Sequence, residues 1–399
     1  MKSKYLSAIS ALALLAAAGP AFAAEGVKIG VLNDQSGVYA DFGGKWSVEA
    51  ARMAIEDFGG SVLGQKIELV DADHQNKPDL GVSIARRWYD VEHVDMITEL
   101  TTSSVALAVQ DLSKQEKKID MVVGAGSSRI TGDSCSPYGF HWAYDTHALA
   151  VGTGGALTEA GGNSWFFLTA DYAFGYSLEK DTAEIVKEKG GKVLGAVRHP
   201  LNTSDFSSFL LQAQSSKAKV IGLANAGLDT SNAIKQASEF GIVQGGQKLA
   251  ALLFTLAEVH GLGLQAAQGL QLTESYYWDR DDKSREFANR FFKKTGRMPN
   301  MVQAGTYSAV TSYLKAVKAA GTKDTEAVTK KLKELPVDDA FTSHGKVLAN
   351  GRMVTDLYLF EVKKPSESKK PWDYFKVIAT VPGDKAYPTA KESGCPLTK

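Results

Sequence analysis

The sequence predicts an α/β protein of two lobes, each a mostly parallel sheet wrapped by helices, joined by three extended crossings. Three observations carry this. Short apolar runs alternate with helix-periodic stretches in two separate series, aromatic extended segments separate the series, and the 376 residues after the first 23 exceed what one core of ~150–200 residues accommodates.

The first 23 residues have the pattern of an export leader. Lys2 and Lys4 supply a basic start, an apolar run continues to Ala18, and Ala21-Phe22-Ala23 is an A-x-A cleavage signal. The run is shorter than the ~20 apolar residues a membrane span requires. The expectation is a periplasmic protein cleaved after Ala23.

In the first series, Val27 to Leu32 is predicted as a strand, followed by a helix whose apolar positions Val48, Ala51, Ala54 and Ile55 recur at helical spacing. Ile67 to Asp71 is the next strand, Leu80 to Tyr89 a helix, and Asp95 to Thr98 a third strand. Val105, Ala108, Val109 and Leu112 then mark one face of a helix opening at Val105, and Ile119 to Val123 a fourth strand. The second series runs through strands Trp165 to Leu168, Val193 to Val197, Val220 to Leu223 and Leu249 to Phe254. Helices at Lys283 to Thr295 and Thr306 to Ala320 suit a return to the first lobe. Gly345 to Leu348 and Thr355 to Val362, around Asn350-Gly351, suggest a hairpin. The expected organisation is residues 24–140 plus 279–342 for the first lobe and 145–272 plus 354–399 for the second, with crossings near 138–146, 269–278 and 343–355.

Without the leader's two lysines, 43 basic residues face 45 acidic ones, a net of −2. Lysines spread over amphipathic helices such as Glu179 to Lys189 make solvated faces, so nucleic acid is not an expected partner. Two cysteines, Cys135 and Cys395, in an oxidising compartment favour a disulfide, which on the chain-entropy model adds at most ~5 kcal/mol of stability.

Catalytic motifs do not assemble. Gly152-Thr-Gly-Gly155 falls inside a helix-like stretch and misses dinucleotide spacing, and Ser177-Leu-Glu-Lys180 lacks the partner motifs of a hydrolase. The histidines show no zinc spacing, and Asp71 and Asp73 suit turn acceptors before Pro78. Neither enzyme activity, metal nor cofactor is expected.

Small polar residues stand instead where strands end and helices begin: Thr101-Thr102-Ser103-Ser104 after the third strand and Gly126-Ser127-Ser128 after the fourth. Free N–H groups and the helix dipole favour an anion there, although simple capping uses the same residues. In an open α/β sheet both clusters meet at the carboxyl edge, beside the switch point. Tyr39 and Phe42 follow the first strand. Tyr172 and Phe174, Asn225 and Gly227, and Thr255 follow strands of the second series. The aromatic residues form either a stacking wall or core.

Taken together, Val27-Lys-Ile-Gly-Val, Gln35-Ser-Gly37 with Phe42-Gly43, Ala51-Arg-Met-Ala-Ile55, Asp71-Ala-Asp73 with Pro78, Ala170-Asp-Tyr-Ala-Phe-Gly175 and Thr306-Tyr-Ser-Ala-Val310 resemble the type I periplasmic binding proteins, of the Leu/Ile/Val-binding group that feeds ABC importers. The resemblance covers essentially the whole mature chain. It implies two Rossmann-like lobes on a three-stranded hinge, a small-molecule ligand closed between them, and presentation to a membrane permease. It further implies a ligand carboxylate held at Thr102 to Ser104 and Gly126 to Ser128, with aromatic walls at Phe42, Phe174 and Tyr172. Where amino-acid binders of this group place an acid for the ammonium, this chain has Thr255, with Glu258 three residues on.

A buried ammonium without a carboxylate is costly, so the expected ligand is a small organic acid without an ammonium, aromatic for preference. A branched-chain amino acid, amide or urea is the alternative, rescued if Glu258 reaches the cleft. A monomer is expected. A receptor's ligand-sensing subunit is the rival class.

Overall fold

The computed structural model describes residues 26–399; the leader assigned to Met1–Ala23 lies outside the described residues. The first series forms a parallel sheet of β1 (Lys28–Asn33), β2 (Glu68–Asp73), β3 (Met96–Glu99), β4 (Ile119–Val122) and β5 (Gly139–His141), in the order β2-β1-β3-β4-β5. Strands β3 and β4 are buried throughout because helices cover both faces, whereas the edge strand β2 remains half-exposed. Val31 lies between Asp71 of β2 and Thr98 of β3, so the carboxyl ends of all three strands open at one edge.

Helix α1 (Gly44–Asp57) turns Val48, Ala51, Ala54 and Ile55 inward, and α2 (Pro78–Asp90) opens on a proline whose missing N–H costs nothing in a first turn. Helix α3 (Ser103–Gln115) begins two residues before the expected Val105, because Thr102 is extended and already serves as the N-cap position. The apolar pattern misses this polar first turn.

The polypeptide next runs through α4 (Thr146–Leu149), a π-helical turn at Ala150–Gly155 and α5 (Ala156–Glu159). It then builds the second sheet from β6 (Ser164–Ala170), β7 (Lys192–His199), β8 (Val220–Ala224) and β9 (Lys248–Ala251), in the order β9-β8-β6-β7. Around it lie α6 (Ala173–Glu188), α7 (Ser207–Ser215), α8 (Gly227–Glu239), α9 (Leu256–Leu262) and α10 (Leu264–Ala267). Strand β10 (Gln271–Glu274) leads out to α11 (Asp282–Thr295) and α12 (Met301–Ala320), which pack back against α1. Asp281 with Ser284, and Asn300 with Gln303, form capping boxes at their starts, and left-handed Gly296 and Gly321 end them. Arg290 of α11 grips Asp57 of α1 with two bonds of 2.7 and 2.6 Å.

The expected hairpin is corrected. Around Asn350-Gly351, Lys346–Val347 pairs only with Met353–Val354, and the expected second arm, Thr355–Val362, does not pair with it. The Thr355 hydroxyl bonds to Thr342 and Asp356 accepts from Gly383 N–H, which ends the pairing. The following β11 (Leu357–Val362) instead joins β10 and β12 (Phe375–Val381) in an antiparallel sheet. Gly351 has φ +88°, and a Cβ there would lie 2.1 Å from the Gly139 carbonyl, so only glycine allows this turn to sit on β5.

Arg352, in the same turn, is 2 % exposed. Its guanidinium donates to the carbonyls of Trp142 (2.5 Å), Tyr144 (2.9 Å) and Met353 (2.9 Å) and reaches Asp145 Oδ2 at 3.5 Å. The first and third crossings are therefore tied by one buried cation. Cys135 and Cys395 are bonded, their Cα atoms 5.7 Å apart. Among the described residues, no helix is long and apolar enough to cross a membrane.

Removing the guanidinium takes a donor from three buried carbonyls and the counter-cation from buried Asp145, whose other oxygen still caps α4 through Ala148 N–H, a change that typically costs ~3–5 kcal/mol. Arg352→Met is expected to lower unfolding stability by about that amount, read as a lower urea midpoint with an unchanged slope.

Candidate functional site

Every element of the site starts at a strand's carboxyl end. Tyr39 and Phe42 sit on the loop after β1, Thr101 between β3 and α3, and Gly124 just beyond β4. Tyr144 lies on the first crossing, Tyr172 and Phe174 after β6, Ala226 after β8 and Leu253 after β9. Together these nine line one small cavity of about 10 Å³ between the lobes. The Tyr39 and Tyr172 hydroxyls meet at 2.5 Å across it. Phe42 stands edge-on to Tyr144, with centroids 6.4 Å apart, and Tyr172 tilts against Phe174 at 6.1 Å. The Tyr144 hydroxyl donates to the Gly124 carbonyl at 2.6 Å. Burial pushes the Tyr39, Tyr144 and Tyr172 phenols well above their ordinary range, so all three are neutral at physiological pH.

Two predicted glycines act through what they lack. A Cβ on Gly126 would lie 2.6 Å from the Tyr144 ring and 3.0 Å from Phe174, so the bare backbone lets both rings close over it. Gly227 has φ +61°, and a Cβ there would come within 2.4 Å of the Val38 carbonyl of the opposite lobe. That carbonyl accepts from Leu228 N–H at 3.2 Å, a main-chain bond between the lobes.

The hydroxyl residues divide. Ser103 Oγ accepts from Ser127 N–H at 3.2 Å, and Ser127 Oγ meets Ser177 Oγ of α6 at 2.6 Å, joining the two lobes. Thr102 donates to Asn76 Oδ1, and Ser104 lies half-buried in the first turn of α3. Ser128 faces the hinge groove, where its N–H donates to Thr146 Oγ1 at 3.0 Å. Asn225 is held away from the cavity by His199 (3.0 Å) and Thr230 (2.7 Å).

Thr255 caps α9. Glu258 turns back to accept from the Thr255 N–H at 2.9 Å and from its hydroxyl, while Asn300 donates to Thr255 Oγ1 at 3.0 Å. Glu258 thus lies on a groove of about 680 Å³ at the cleft mouth, not on the inner cavity.

Thr101 belongs to the predicted hydroxyl cluster, whereas sequence reading missed Gly124, two positions from Gly126, and missed Tyr144, Ala226 and Leu253. Tyr144 ends the aromatic crossing Tyr138–Asp145, and that concentration of rings was the available signal.

The cavity thus presents neutral hydroxyls among aromatic faces, and none of its lining residues is Asp, Glu, His, Lys or Arg. The model of a family described as periplasmic binding protein matches residues 26–369. The chain belongs to that family. A solved periplasmic binding protein from Burkholderia mallei is 55 % identical, covering 94 % of this chain and 100 % of its own, with a TM-score of 0.92. A branched-chain amino acid ABC transporter periplasmic ligand-binding protein from Burkholderia xenovorans is 42 % identical, covering 94 % and 100 %, with a TM-score of 0.84. An ABC transporter solute-binding protein from R. palustris, solved with benzoate, shares the fold at 20 % identity, covering 93 % and 100 %, with a TM-score of 0.81. This periplasmic binding protein is accordingly a solute-binding protein of the ABC transporter class, two lobes about a cleft.

Gly227→Val introduces a β-branched side chain at a left-handed position, worth ~1–3 kcal/mol of strain, and sets it against Val38. The variant is expected to fold but to close poorly. Small-angle X-ray scattering is expected to show a larger radius of gyration than wild type, with melting temperature measured alongside.

Proposed function

We propose that this protein is the periplasmic solute-binding component of an ABC importer, capturing a small carboxylate without an ammonium group, preferably aromatic, by closure of its lobes. The observation that carries the reading is the cavity wall: five aromatic rings, hydroxyl donors and the adjacent start of α3, with Glu258 folded back onto Thr255. Such a wall stacks a ring, and the helix start favours an anion. An ammonium on the same wall would meet no carboxylate among the lining residues. The benzoate held by the R. palustris protein is a ligand of this kind. The name of the B. xenovorans relative favours a branched-chain amino acid as the second reading.

Export with cleavage after Ala23 and delivery to an inner-membrane permease by a monomer complete the proposal. Closure is a population shift: inverting a 1:99 ratio of closed to open requires about 10⁴-fold preference for the closed form. The cavity, at about 10 Å³, has room for little more than one water and lies far below the ~300–1,000 Å³ usual for ligand pockets, so a ring-bearing acid must part Tyr39 from Tyr172 on entering.

Thermal shift against benzoate-type, phenylpropenoid and aliphatic acids, with leucine, valine and small amides alongside, tests the reading. A carboxylate at 100 times its Kd is expected to stabilise by about 2.7 kcal/mol, and Phe174→Ala to abolish most of that shift. Stabilisation by leucine or valine, with none by any ammonium-free acid, overturns the proposal.

A further inference from the structure

Behind the cavity wall lies an acid that neither the family pattern nor the hydroxyl clusters brought forward. Glu99 closes β3 and is fully buried. Its carboxylate accepts from the Thr101 hydroxyl at 2.5 Å and from Asn33 Nδ2 at 3.4 Å. A Cβ on Gly43 would lie 2.0 Å from Oε1 and one on Gly124 2.8 Å from Oε2, so two bare backbones make room for it. Gly124 and Thr101 themselves line the cavity.

The backbone at Glu99 is a second, independent observation. Glu99 and Leu100 have φ +76° and +53°, a left-handed pair without glycine. Each such residue is costly and persists only where its surroundings over-determine it. Here Val123 and Gly124 both donate to the Glu99 carbonyl at 2.9 Å, and Leu100 N–H donates to Leu32 at 3.0 Å. The fold holds a carboxyl at the cleft floor in a conformation glycine would adopt freely.

We infer that Glu99 is a specificity-determining positioning residue, whose carboxyl decides whether the Thr101 hydroxyl offers the ligand a proton or a lone pair. The inference rests on the carboxylate reading above. Thr101 Oγ1 already accepts from Asp34 N–H at 3.3 Å. With Glu99 ionised, the hydroxyl's one proton is committed to Glu99, and at Thr101 the cavity meets only an oxygen lone pair with a negative charge behind it. With Glu99 protonated, its O–H donates to Thr101, whose own proton then turns to the cavity and can bind a carboxylate. Capture of an anion is then coupled to uptake of one proton.

Burial pushes the Glu99 carboxyl up to about 7, against the hydrogen bonds from Thr101 and Asn33. Above that pH the free protein must first gain the proton, so affinity for an anion is full below about pH 7 and falls towards tenfold per unit above it. Other titrating or charged groups lie near Glu99 and this wall: Asp34 from the β1 loop, Tyr39 and Tyr172 across the cavity, Tyr144 with Arg352 behind it, and, on the outer groove, Glu258 from α9. Asp229 of α8, pushed up to about 6 by burial, is the nearest competitor in pH.

Calorimetry of the whole mature protein with benzoate, from about pH 6 to about pH 8.5 in buffers of different ionisation enthalpy, tests the inference. Wild type is expected to take up close to one proton per benzoate at the upper end, and to weaken by more than about tenfold between the two pH values. Glu99→Gln, permanently neutral, is expected to take up none and to hold its low-pH affinity throughout. Binding by wild type without proton uptake, or a pH profile that survives in Glu99→Gln, overturns this inference and leaves the carboxylate reading standing. Absence of heat with benzoate and with aliphatic acids at every pH overturns both. Should Glu99→Gln fail to fold, the wild-type proton count decides alone.

Discussion

Everything the cleft does depends on the buried guanidinium of Arg352. One cation bonded to the main chains of Trp142, Tyr144 and Met353 joins the first and third crossings between the lobes, because each of those carbonyls belongs to a crossing. Glu274 complements it on the remaining crossing. Its carboxylate accepts from Leu256 N–H at the start of α9 and from Met301 N–H at the start of α12, capping one helix of each lobe. Burial raises the Glu274 carboxyl well above the ordinary range, and the two amide donors oppose that rise.

The fold was legible because its signals are periodic. The spacing of Val48, Ala51, Ala54 and Ile55 depends only on which face of α1 is covered, and the buried runs of β3 and β4 only on their place between helices. Where periodicity stops, so did the reading. Ser103 and Ser104 belong to α3 although neither is apolar, and Thr355–Val362, expected to pair across Asn350-Gly351, is turned away at Thr355 and Asp356 by contacts with Thr342 and Gly383. Such tertiary bonds leave no trace in local composition.

The site divides in the same way. Tyr39, Phe42, Tyr172 and Phe174 were found because aromatic residues beyond strand ends are uncommon enough to stand out, and all four meet in the cavity. The small polar residues carried an ambiguity that only partners resolve: Thr255 is a cap, Asn225 a bracket for His199, and Ser128 part of the hinge groove. Glu99 escaped because a lone acid at a strand end is ordinary in sequence. Its significance comes from two glycines, Gly43 and Gly124, distant in the chain and adjacent in space.

The bond between Cys135 and Cys395 ties together residues 260 positions apart. A loop of that span closes rarely by chance while the chain is unfolded, since the entropic cost grows with length. In the folded chain the bond fastens the last residues to the lobe that holds the first ones, so the tail cannot peel away from Cys135 without reduction.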